Sequence, residues 1–165
     1  MSEGPGSDAP GKSTGGSPVV GDGRGVARYV GMSLCEIGDW ERGEIVLEGT
    51  AELHDHVATP NSALSTGALL TMCDNVAGLC GGLAALPDGW VQTANLMLRR
   101  SRFDLRGSIQ FVSTVLRRGR RSIVTDVTVY DADGIAAVGT LTSAVLRPAA
   151  GVPHWERPAR LHAAP

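Results

Sequence analysis

The chain has 165 residues, a length that fits one domain, and 42% of them are hydrophobic, which is enough for a globular core. A formal charge of −2 and a pI near 6.1 exclude a global basic field for nucleic acid or membranes, so any phosphate site must come from a local cluster. The cysteines Cys35, Cys73 and Cys80 lack metal or redox spacing and are predicted to be reduced core residues.

Composition divides the chain into three segments. Residues 1–25 are rich in Gly, Ser and Pro and contain almost nothing apolar, which predicts a disordered tail. Residues 148–165 are rich in Pro and Ala and predict a second tail, with Trp155 as a candidate for docking on the domain surface. Residues 26–147 form the predicted domain. The first residues lack the basic and apolar regions of a signal peptide, so we expect a cytoplasmic protein.

The first predicted elements are a half-buried strand and a long apolar helix. Residues 44–53 alternate between apolar and polar side chains, which predicts a strand paired with an earlier one near residues 28–36. Residues 63–86 are apolar on nearly every side, which indicates a buried helix. Pro60 begins this segment and Pro87 ends it.

Three residues are candidates for the N-cap of the helix, namely Asn61, Ser62 and Ser65. The helix is nearly long enough to span a bilayer, but Asp74 lies at its centre. A central Asp costs about 3 kcal/mol on membrane-insertion scales. We therefore expect the helix to lie in the core of the domain and predict no membrane partner.

Four strand-like runs follow the helix, at residues 91–98, 108–116, 122–130 and 135–146. Turn-forming sequences around Gly119 and Gly134 separate the last three runs. Consecutive strands joined by tight turns predict an antiparallel meander. One apolar helix and a sheet with one dry face predict an α+β fold, in which an antiparallel sheet of about five to six strands wraps a central helix.

Asp74 is the strongest candidate for a functional side chain. An Asp in the middle of a buried helix is costly unless it is paired or reaches a cleft. Spacing alone leaves two interpretations open, a functional carboxylate or a structural one that bonds nearby backbone or lies at a subunit interface. Gly67, Thr71, Gly78 and Gly81 fall on the same helical face, where they permit close approach of a ligand, a second subunit or the sheet.

Polar side chains on the strand after the helix are further candidates. Thr93 and Asn95 are predicted to project from one face of this strand towards a bound group, while Leu96 and Leu98 pack on the other face. Each residue is also an ordinary strand residue, so the pattern has a purely structural alternative.

Eight of the fifteen basic residues lie within 23 positions. They are Arg99, Arg100, Arg102, Arg106, Arg117, Arg118, Arg120 and Arg121. In a meander the two halves of this group flank one strand, so we expect their charges to converge on one edge of the sheet. Guanidinium groups match phosphate oxygens, which predicts a site for a phosphate-rich ligand, with a solvated surface that protects a strand edge as the alternative. Nucleic acid is disfavoured because the run lacks interleaved aromatic residues.

His54 and His56 form an H-x-H sequence at the end of a strand. Because no third ligand is near in sequence, we predict turn residues and no metal site. His56 is a candidate for the rim of the functional site.

In chain order, these motifs resemble the hotdog-fold thioesterase superfamily, and specifically the branch of PaaI-type phenylacetate-pathway enzymes and human THEM-type acyl-CoA thioesterases. The resemblance covers about residues 28–147. In that branch the helix begins with a His-Gly-Gly motif and carries a catalytic Asp nine residues after the His. Here Ser65, Thr66 and Gly67 occupy the motif, and Asp74 has the family spacing.

Two later motifs also fit the family. A Thr or Ser opens a strand that ends near Arg-Pro before a Gly, which Thr93 to Gly107 resembles. An Arg-x-Gly-Arg sequence followed by a strand and an Asp-x-x-Gly turn is matched at residues 117–120 and 131–134. The resemblance therefore implies a hotdog fold.

The resemblance also implies residue roles. Asp74 would be the nucleophile or the general base, Thr93 would position the water or the carboxylate, and the backbone N–H of Gly67 would stabilise the oxyanion. Ser65 stands where the family has its His. The implied substrate-binding residues are Asn61, Thr66, Asn95, Arg118 and Arg120, with the two arginines holding the phosphates of coenzyme A. The family Asn falls on Thr59 unless a small shift places Asn61 there.

The implied activity is hydrolysis of an acyl-CoA thioester, with no metal and no cofactor except the coenzyme A of the substrate. The implied assembly is a homodimer with a shared site. Two such dimers are expected to pair into a tetramer, and the choice between dimer and tetramer stays open. Three alternatives stay open. Ser65 and Thr66 favour a non-catalytic acyl-CoA binding or sensing protein, and a purely structural oligomer is possible. A dehydratase is disfavoured because the helix lacks a His or Glu. The acyl group, and coenzyme A versus acyl carrier protein, also stay open.

Overall fold

The computed structural model describes residues 18–19, 29–36, 46–86 and 89–147. The elements are β1 (Pro18–Val19), β2 (Met32–Glu36), β3 (Val46–Glu52), α1 (Thr66–Ala85), β4 (Trp90–Arg100), β5 (Ser108–Arg118), β6 (Ser122–Asp131) and β7 (Gly134–Leu146), with a 3-10 turn at Asp55–Val57. All strands form one sheet, in the order β1-β2-β3-β5-β6-β7-β4, and every neighbouring pair is antiparallel.

The predicted α+β fold with one central helix and a sheet of five to six strands is confirmed. Six strands have five or more residues, and β1 adds two residues at the edge. Its residues, Pro18 and Val19, lie within the segment predicted to be a disordered tail. The rest of that segment, and residues 148–165 with Trp155, lie outside the described residues.

The predicted meander is correct for β5, β6 and β7 but wrong for β4. β4 follows the helix in sequence, yet it pairs with β7 and not with β5. The helix carries the chain across one face of the sheet, from β3 to the opposite side, so β4 enters the sheet beyond β7. This crossover leaves one long edge of β4 without a neighbouring strand among the described residues.

Helix α1 lies against the sheet with its apolar residues in the core. Leu69, Met72 and Val76 are fully buried, and they pack with sheet residues such as Phe111 and Leu141. By length and composition alone the helix could cross a bilayer, with a mean hydropathy of 1.4, but 67% of that stretch is buried inside the fold. The helix is thus a core helix, as predicted.

Glycines bring the helix close to the sheet. A methyl group on Gly82 would lie 2.8 Å from the Trp90 ring, and one on Gly49 would lie 2.9 Å from a methyl group of Val76. Side chains at these two positions would force the helix and the sheet apart. The contact between Gly82 and Trp90 places the C-terminal end of α1 at the start of β4.

Arg100, at the end of β4, fixes the other end of the helix. Its guanidinium donates hydrogen bonds to Thr66 Oγ1 at 2.9 Å and to the carbonyl oxygen of Leu64 at 3.3 Å. It also donates to the carbonyl oxygens of Arg102 and Phe103, and it lies over the Phe103 ring. Partial burial lowers the pKa of Arg100, but a guanidinium stays protonated at neutral pH. β4 and α1 are therefore connected at both ends.

We expect Arg100→Ala to lower the free energy of unfolding by about 2 kcal/mol, because charged hydrogen bonds to several carbonyl and hydroxyl oxygens are lost together. Arg100→Lys should not restore it, since an ammonium group cannot reach the same acceptors as a planar guanidinium. Urea denaturation measures both variants. Arg99 is an exposed arginine directly before Arg100 in sequence. Arg99→Ala is therefore the matched control and should change the free energy of unfolding by less than about 0.5 kcal/mol. Equal stability of the Ala variants would contradict this account of Arg100.

Candidate active site

Asp74 and Thr93 form the centre of the candidate site. Asp74 lies in the middle of α1, Thr93 lies near the start of β4, and Thr93 Oγ1 donates a hydrogen bond of 2.7 Å to Asp74 Oδ1. Asp74 is half-buried, where the sequence suggested a buried carboxylate, and Thr93 is exposed. The partner of Asp74 Oδ1 is thus a side chain and not the nearby backbone of one structural alternative, while the other alternative, a place at a subunit interface, stays open. A carboxylate held by a hydroxyl and open to solvent can take part in proton transfer or nucleophilic attack.

The prediction that Thr93 and Asn95 share a face of the strand is wrong. β4 pairs Thr93 with Ser143 and Asn95 with Thr142, so the register shifts at Ala94. Such a β-bulge inserts one residue and reverses the alternation beyond it. Thr93 therefore faces the helix, and Asn95 faces away from Asp74.

The bulge also reverses the predicted positions of the leucines. Leu96 and Leu98 follow the bulge and pack on the helix side, in the same core as Leu141. They share their face with Thr93, where the sequence had placed them on the opposite one. The β-bulge therefore places Thr93 of the site and the core residues Leu96 and Leu98 on the same face of β4.

The first turn of α1 holds the other predicted catalytic residues. Ser65 is the N-cap of the three candidates, and its Oγ accepts a hydrogen bond of 3.2 Å from Ala68 N. Thr66 Oγ1 is held by Arg100. Gly67 is exposed, and a methyl group on it would contact nothing within 4 Å. The backbone N–H groups of a first turn have no acceptor within the helix unless a side chain caps them, so the N–H of Gly67 is available to a ligand.

Gly67 and Asp74 do not meet within one chain. Seven residues separate them, which corresponds to about 10 Å along a helix axis. A single small group therefore cannot touch both the Gly67 N–H and the Asp74 carboxylate of the same chain. The structure brings together Asp74 and Thr93, and separately Ser65, Thr66 and Gly67.

The small residues on the Asp74 face of α1 have different surroundings. A methyl group on Gly78 would meet only Thr93 Oγ1, at 4.0 Å, so space is open beside the pair. Gly81 is buried and faces Ile123, Thr125 and Ser143 of the sheet. Thus Gly78 leaves room at the site, whereas Gly81 serves packing.

The predicted convergence of the eight arginines on one edge is wrong. Arg100 pairs with Ala137 at the start of β7, whereas Arg118 pairs with Ile123, whose other neighbour is Ser143 near the end of β7. Six residues of extended strand separate these positions, or about 20 Å. The reason is the length of β5, because one group precedes this strand of 11 residues and the other lies at its end and in the turn after it.

Several arginines of the first group have structural partners. Arg102 forms ion pairs with Asp131 at 2.8 Å and with Asp133 at 3.1 Å, which connects the segment after β4 to the β6–β7 turn. Arg106 pairs with Asp104 at 2.7 Å.

The second arginine group and Asn61 remain candidates for ligand binding. Arg118 and Arg120, predicted to bind phosphate, are exposed at the β5–β6 turn. Asn61 is exposed in the turn before α1. Nothing in the single chain places either feature next to Asp74.

His54 precedes the 3-10 turn and His56 lies within it, as predicted for turn residues. Their rings are stacked in parallel with centroids 5.7 Å apart, and His56 Nε2 contacts the carbonyl oxygen of Tyr29 at 2.5 Å. Among the described residues, no three His, Cys, Asp or Glu side chains come together in a way that suits a metal ion.

One polar residue near the pair was missed from the sequence. Ser143 is 1% exposed, pairs in register with Thr93, and its Oγ lacks a hydrogen-bond partner in the described part of the chain. The sequence does contain a signal for it. Ser143 lies two residues after Leu141, on the same buried face of β7, and it is polar at a position where an apolar residue is usual.

A separate groove of about 370 Å³ lies on the face of the sheet opposite to the helix. Met97, Arg99, Leu116 and Val138 are among its lining residues, and Met97 and Val138 are exposed apolar side chains. Asp74 and Thr93 do not line it, so this groove is distinct from the candidate active site.

Comparison with known proteins supports the fold. No family model and no curated protein sequence matches the chain. Among solved structures, the conserved protein PA5202 from Pseudomonas aeruginosa is similar, with 25% identity and a TM-score of 0.65 over 78% of this chain and 96% of that one.

Two further solved structures have thioesterase names. The thioesterase HI1161 from Haemophilus influenzae is 17% identical, with a TM-score of 0.66 over 73% of this chain and 82% of that one. A hypothetical thioesterase from Streptococcus pneumoniae, solved with coenzyme A, is 20% identical, with a TM-score of 0.55 over 64% of this chain and 80% of that one. With its single core helix on an antiparallel sheet, the chain has the hotdog fold.

Proposed function

We propose that the chain is an acyl-CoA thioesterase, which hydrolyses an acyl thioester to a free acid and coenzyme A. The observation that carries this proposal is the hydrogen bond of 2.7 Å between Thr93 Oγ1 and Asp74 Oδ1, at an accessible point of a fold shared with thioesterases. The similar structure that contains coenzyme A supports the substrate class. We keep the predicted PaaI-type and THEM-type branch and the cytoplasmic location as parts of the same proposal.

Asp74 supplies the reactive group. Thr93 holds Oδ1 and leaves Oδ2 for chemistry. As a general base, Oδ2 takes a proton from water while the water oxygen attacks the thioester carbonyl carbon and the C–S bond breaks. As a nucleophile, Oδ2 attacks that carbon itself, and water then hydrolyses the mixed anhydride. Both routes release a carboxylic acid and the thiol of coenzyme A.

The active site is shared between two copies of the chain in this proposal. The oxyanion needs a donor close to the Asp74 carboxylate, and the Gly67 N–H of the same chain is about 10 Å away along the helix. The Gly67 N–H of a second copy satisfies this requirement. The exposed edge of β4, beside Thr93, is a suitable place for that copy because its backbone groups have no neighbouring strand among the described residues. We propose a homodimer on this basis and retain a tetramer as the expected larger assembly.

The phosphates of coenzyme A are assigned to Arg118 and Arg120. Both side chains are exposed, and the backbone carbonyl of Arg120 accepts a hydrogen bond from Arg147 that supports the β5–β6 turn. Asn61 lies in the turn before α1, and Thr66 is the first residue of this helix. Both are assigned to the acyl or pantetheine part of the substrate. Asn95 faces away from Asp74 within one chain, so its predicted role in substrate binding depends on the second copy.

The thiol of Cys73, next to Asp74 in sequence, is not the nucleophile in this mechanism. Burial raises the pKa of Cys73 to about 12, with a smaller contribution from the Asp74 charge. A thiol reacts as the thiolate, and almost none is present at neutral pH at such a pKa.

We expect Cys73 to resist alkylation by iodoacetamide at pH 8 in the folded protein and to react in urea. Peptide mapping by mass spectrometry measures this directly. Modification of Cys73 in the native protein at the rate of a free thiol would contradict its burial.

Asp74→Asn should lower kcat by about a hundredfold or more, as expected for a lost general base or nucleophile. Thiol release from short, long and aromatic acyl-CoAs measures the change and identifies the preferred acyl group. Thr93 can still donate to the amide oxygen of Asn, so the fold should be preserved. Asp104→Asn, which changes an exposed carboxylate paired with Arg106, is the matched control and should keep native turnover. Turnover by Asp74→Asn equal to that of the native protein would contradict the proposal.

A single turnover in ¹⁸O-labelled water tests for the nucleophilic route. When water attacks the Asp74 carbonyl of the anhydride, the label enters the Asp74 carboxylate, whereas the general-base route places it only in the released acid. Label in the Asp74 peptide, measured by mass spectrometry, therefore establishes the nucleophilic route.

A non-catalytic acyl-CoA binding protein is the second candidate. The observation that favours it is the role of Ser65, which replaces the family His and whose hydroxyl caps the helix. This candidate predicts that acyl-CoA raises the melting temperature while neither the native protein nor Asp74→Asn releases thiol.

A further inference from the structure

The hydroxyl of Ser143 is buried without a hydrogen bond. It is 1% exposed, and no other buried side-chain nitrogen or oxygen of the described residues lacks a partner. An unpartnered buried hydroxyl is destabilising and therefore requires an explanation. We propose that Ser143 is a positioning residue for the reaction, in a hydroxyl relay that runs from Ser143 through Thr93 to Asp74. This inference rests on the proposed function.

The strand register places the two hydroxyls side by side. Ser143 on β7 is the direct partner of Thr93 on β4, and partners across an antiparallel pair project from the same face. Their Cβ atoms are about 4.5–5.5 Å apart in such pairs. A rotation about one side-chain bond of Ser143 brings its O–H within hydrogen-bonding reach of Thr93 Oγ1. That oxygen donates its own proton to Asp74 and keeps lone pairs that can accept another.

The helix leaves room for this rotation. Gly81 and Gly78 lie above the two hydroxyls, and methyl groups on them would be 3.8 Å from Ser143 Oγ and 4.0 Å from Thr93 Oγ1. Larger residues at these positions would fill the space in which the hydroxyls turn.

The other neighbours of Ser143 do not compete for its proton. The atoms of Ile123 and Thr125 nearest to Gly81 are methyl carbons. The Thr125 hydroxyl already donates to the carbonyl oxygen of Ala77. Thr93 Oγ1 is therefore the acceptor that the arrangement offers to Ser143.

The relay would act on Asp74 without touching the substrate. A hydrogen bond from Ser143 polarises the Thr93 hydroxyl and strengthens its donation to Asp74, because hydrogen bonds in a chain reinforce one another. It also fixes the direction of the Thr93 hydroxyl, and so decides which carboxylate oxygen is left for chemistry. Loss of Ser143 should then slow the chemical step and leave substrate binding unchanged.

The test compares Ser143→Ala with Ser113→Ala in the full-length chain. Ser113 is also a fully buried serine facing the helix, but its hydroxyl is engaged with the carbonyl oxygen of Asp126 and does not pair with Thr93. We expect Ser143→Ala to lower kcat by about tenfold, which is the effect of one net hydrogen bond, with KM unchanged. The melting temperature should fall only slightly, because one hydrogen bond of the relay is lost, and a rise would show that the hydroxyl is unpaired and overturn the relay. Ser113→Ala should keep native kcat and melt at a lower temperature.

The double variant Thr93→Val, Ser143→Ala completes the test. The relay predicts that Ser143→Ala causes no further loss of kcat once the Thr93 hydroxyl is absent. Native kcat in Ser143→Ala overturns the relay, as does an equal loss of kcat in both serine variants or a tenfold further loss in the Thr93→Val background. If the native protein itself hydrolyses no thioester, the proposed function fails first and the relay with it. The two failures are thus distinguishable.

Discussion

The close contact between α1 and the sheet is the constraint on which the rest of the structure depends. Gly82 lies against the Trp90 ring and Gly81 lies against Ile123 and Ser143, so at these two positions the helix places no side chain of its own between itself and the sheet. At this spacing a short carboxylate reaches a short hydroxyl, and Asp74 and Thr93 meet at 2.7 Å. A wider spacing would remove the contact, because neither side chain is long enough to compensate.

The sequence was sufficient for the parts of the fold that depend on local pattern. The apolar run of the helix, the alternation in the strands and the turn around Gly134 each correspond to one element with nearly the predicted bounds. Asp74 was identifiable because a carboxylate in an apolar helix needs a partner. From the sequence, Thr93 was only a candidate for this partner, because a Thr in a strand is common for structural reasons alone.

Features that depend on long-range pairing could not be predicted in this way. The position of β4 beyond β7 follows from the helix crossover, whereas tight turns alone predict a position beside β5. The bulge at Ala94 moves Asn95 to the outer face, and strict alternation contains no signal for one extra residue. The two arginine groups are separated by the length of β5, since one precedes this strand and the other lies at its end.

The two ends of α1 are held in place by different contacts. At the C-terminal end, glycines and Trp90 set the distance to the sheet, while at the N-terminal end Arg100 and Ser65 set the direction of the first turn. A guanidinium near the positive end of a helix dipole is electrostatically unfavourable. Its hydrogen bonds to the carbonyl oxygens of Leu64, Arg102 and Phe103 offset that repulsion. The fold thereby keeps the Gly67 N–H exposed and fixed in direction, which is the property that an oxyanion donor needs, and it leaves Asp74 of the same chain too far away to share it.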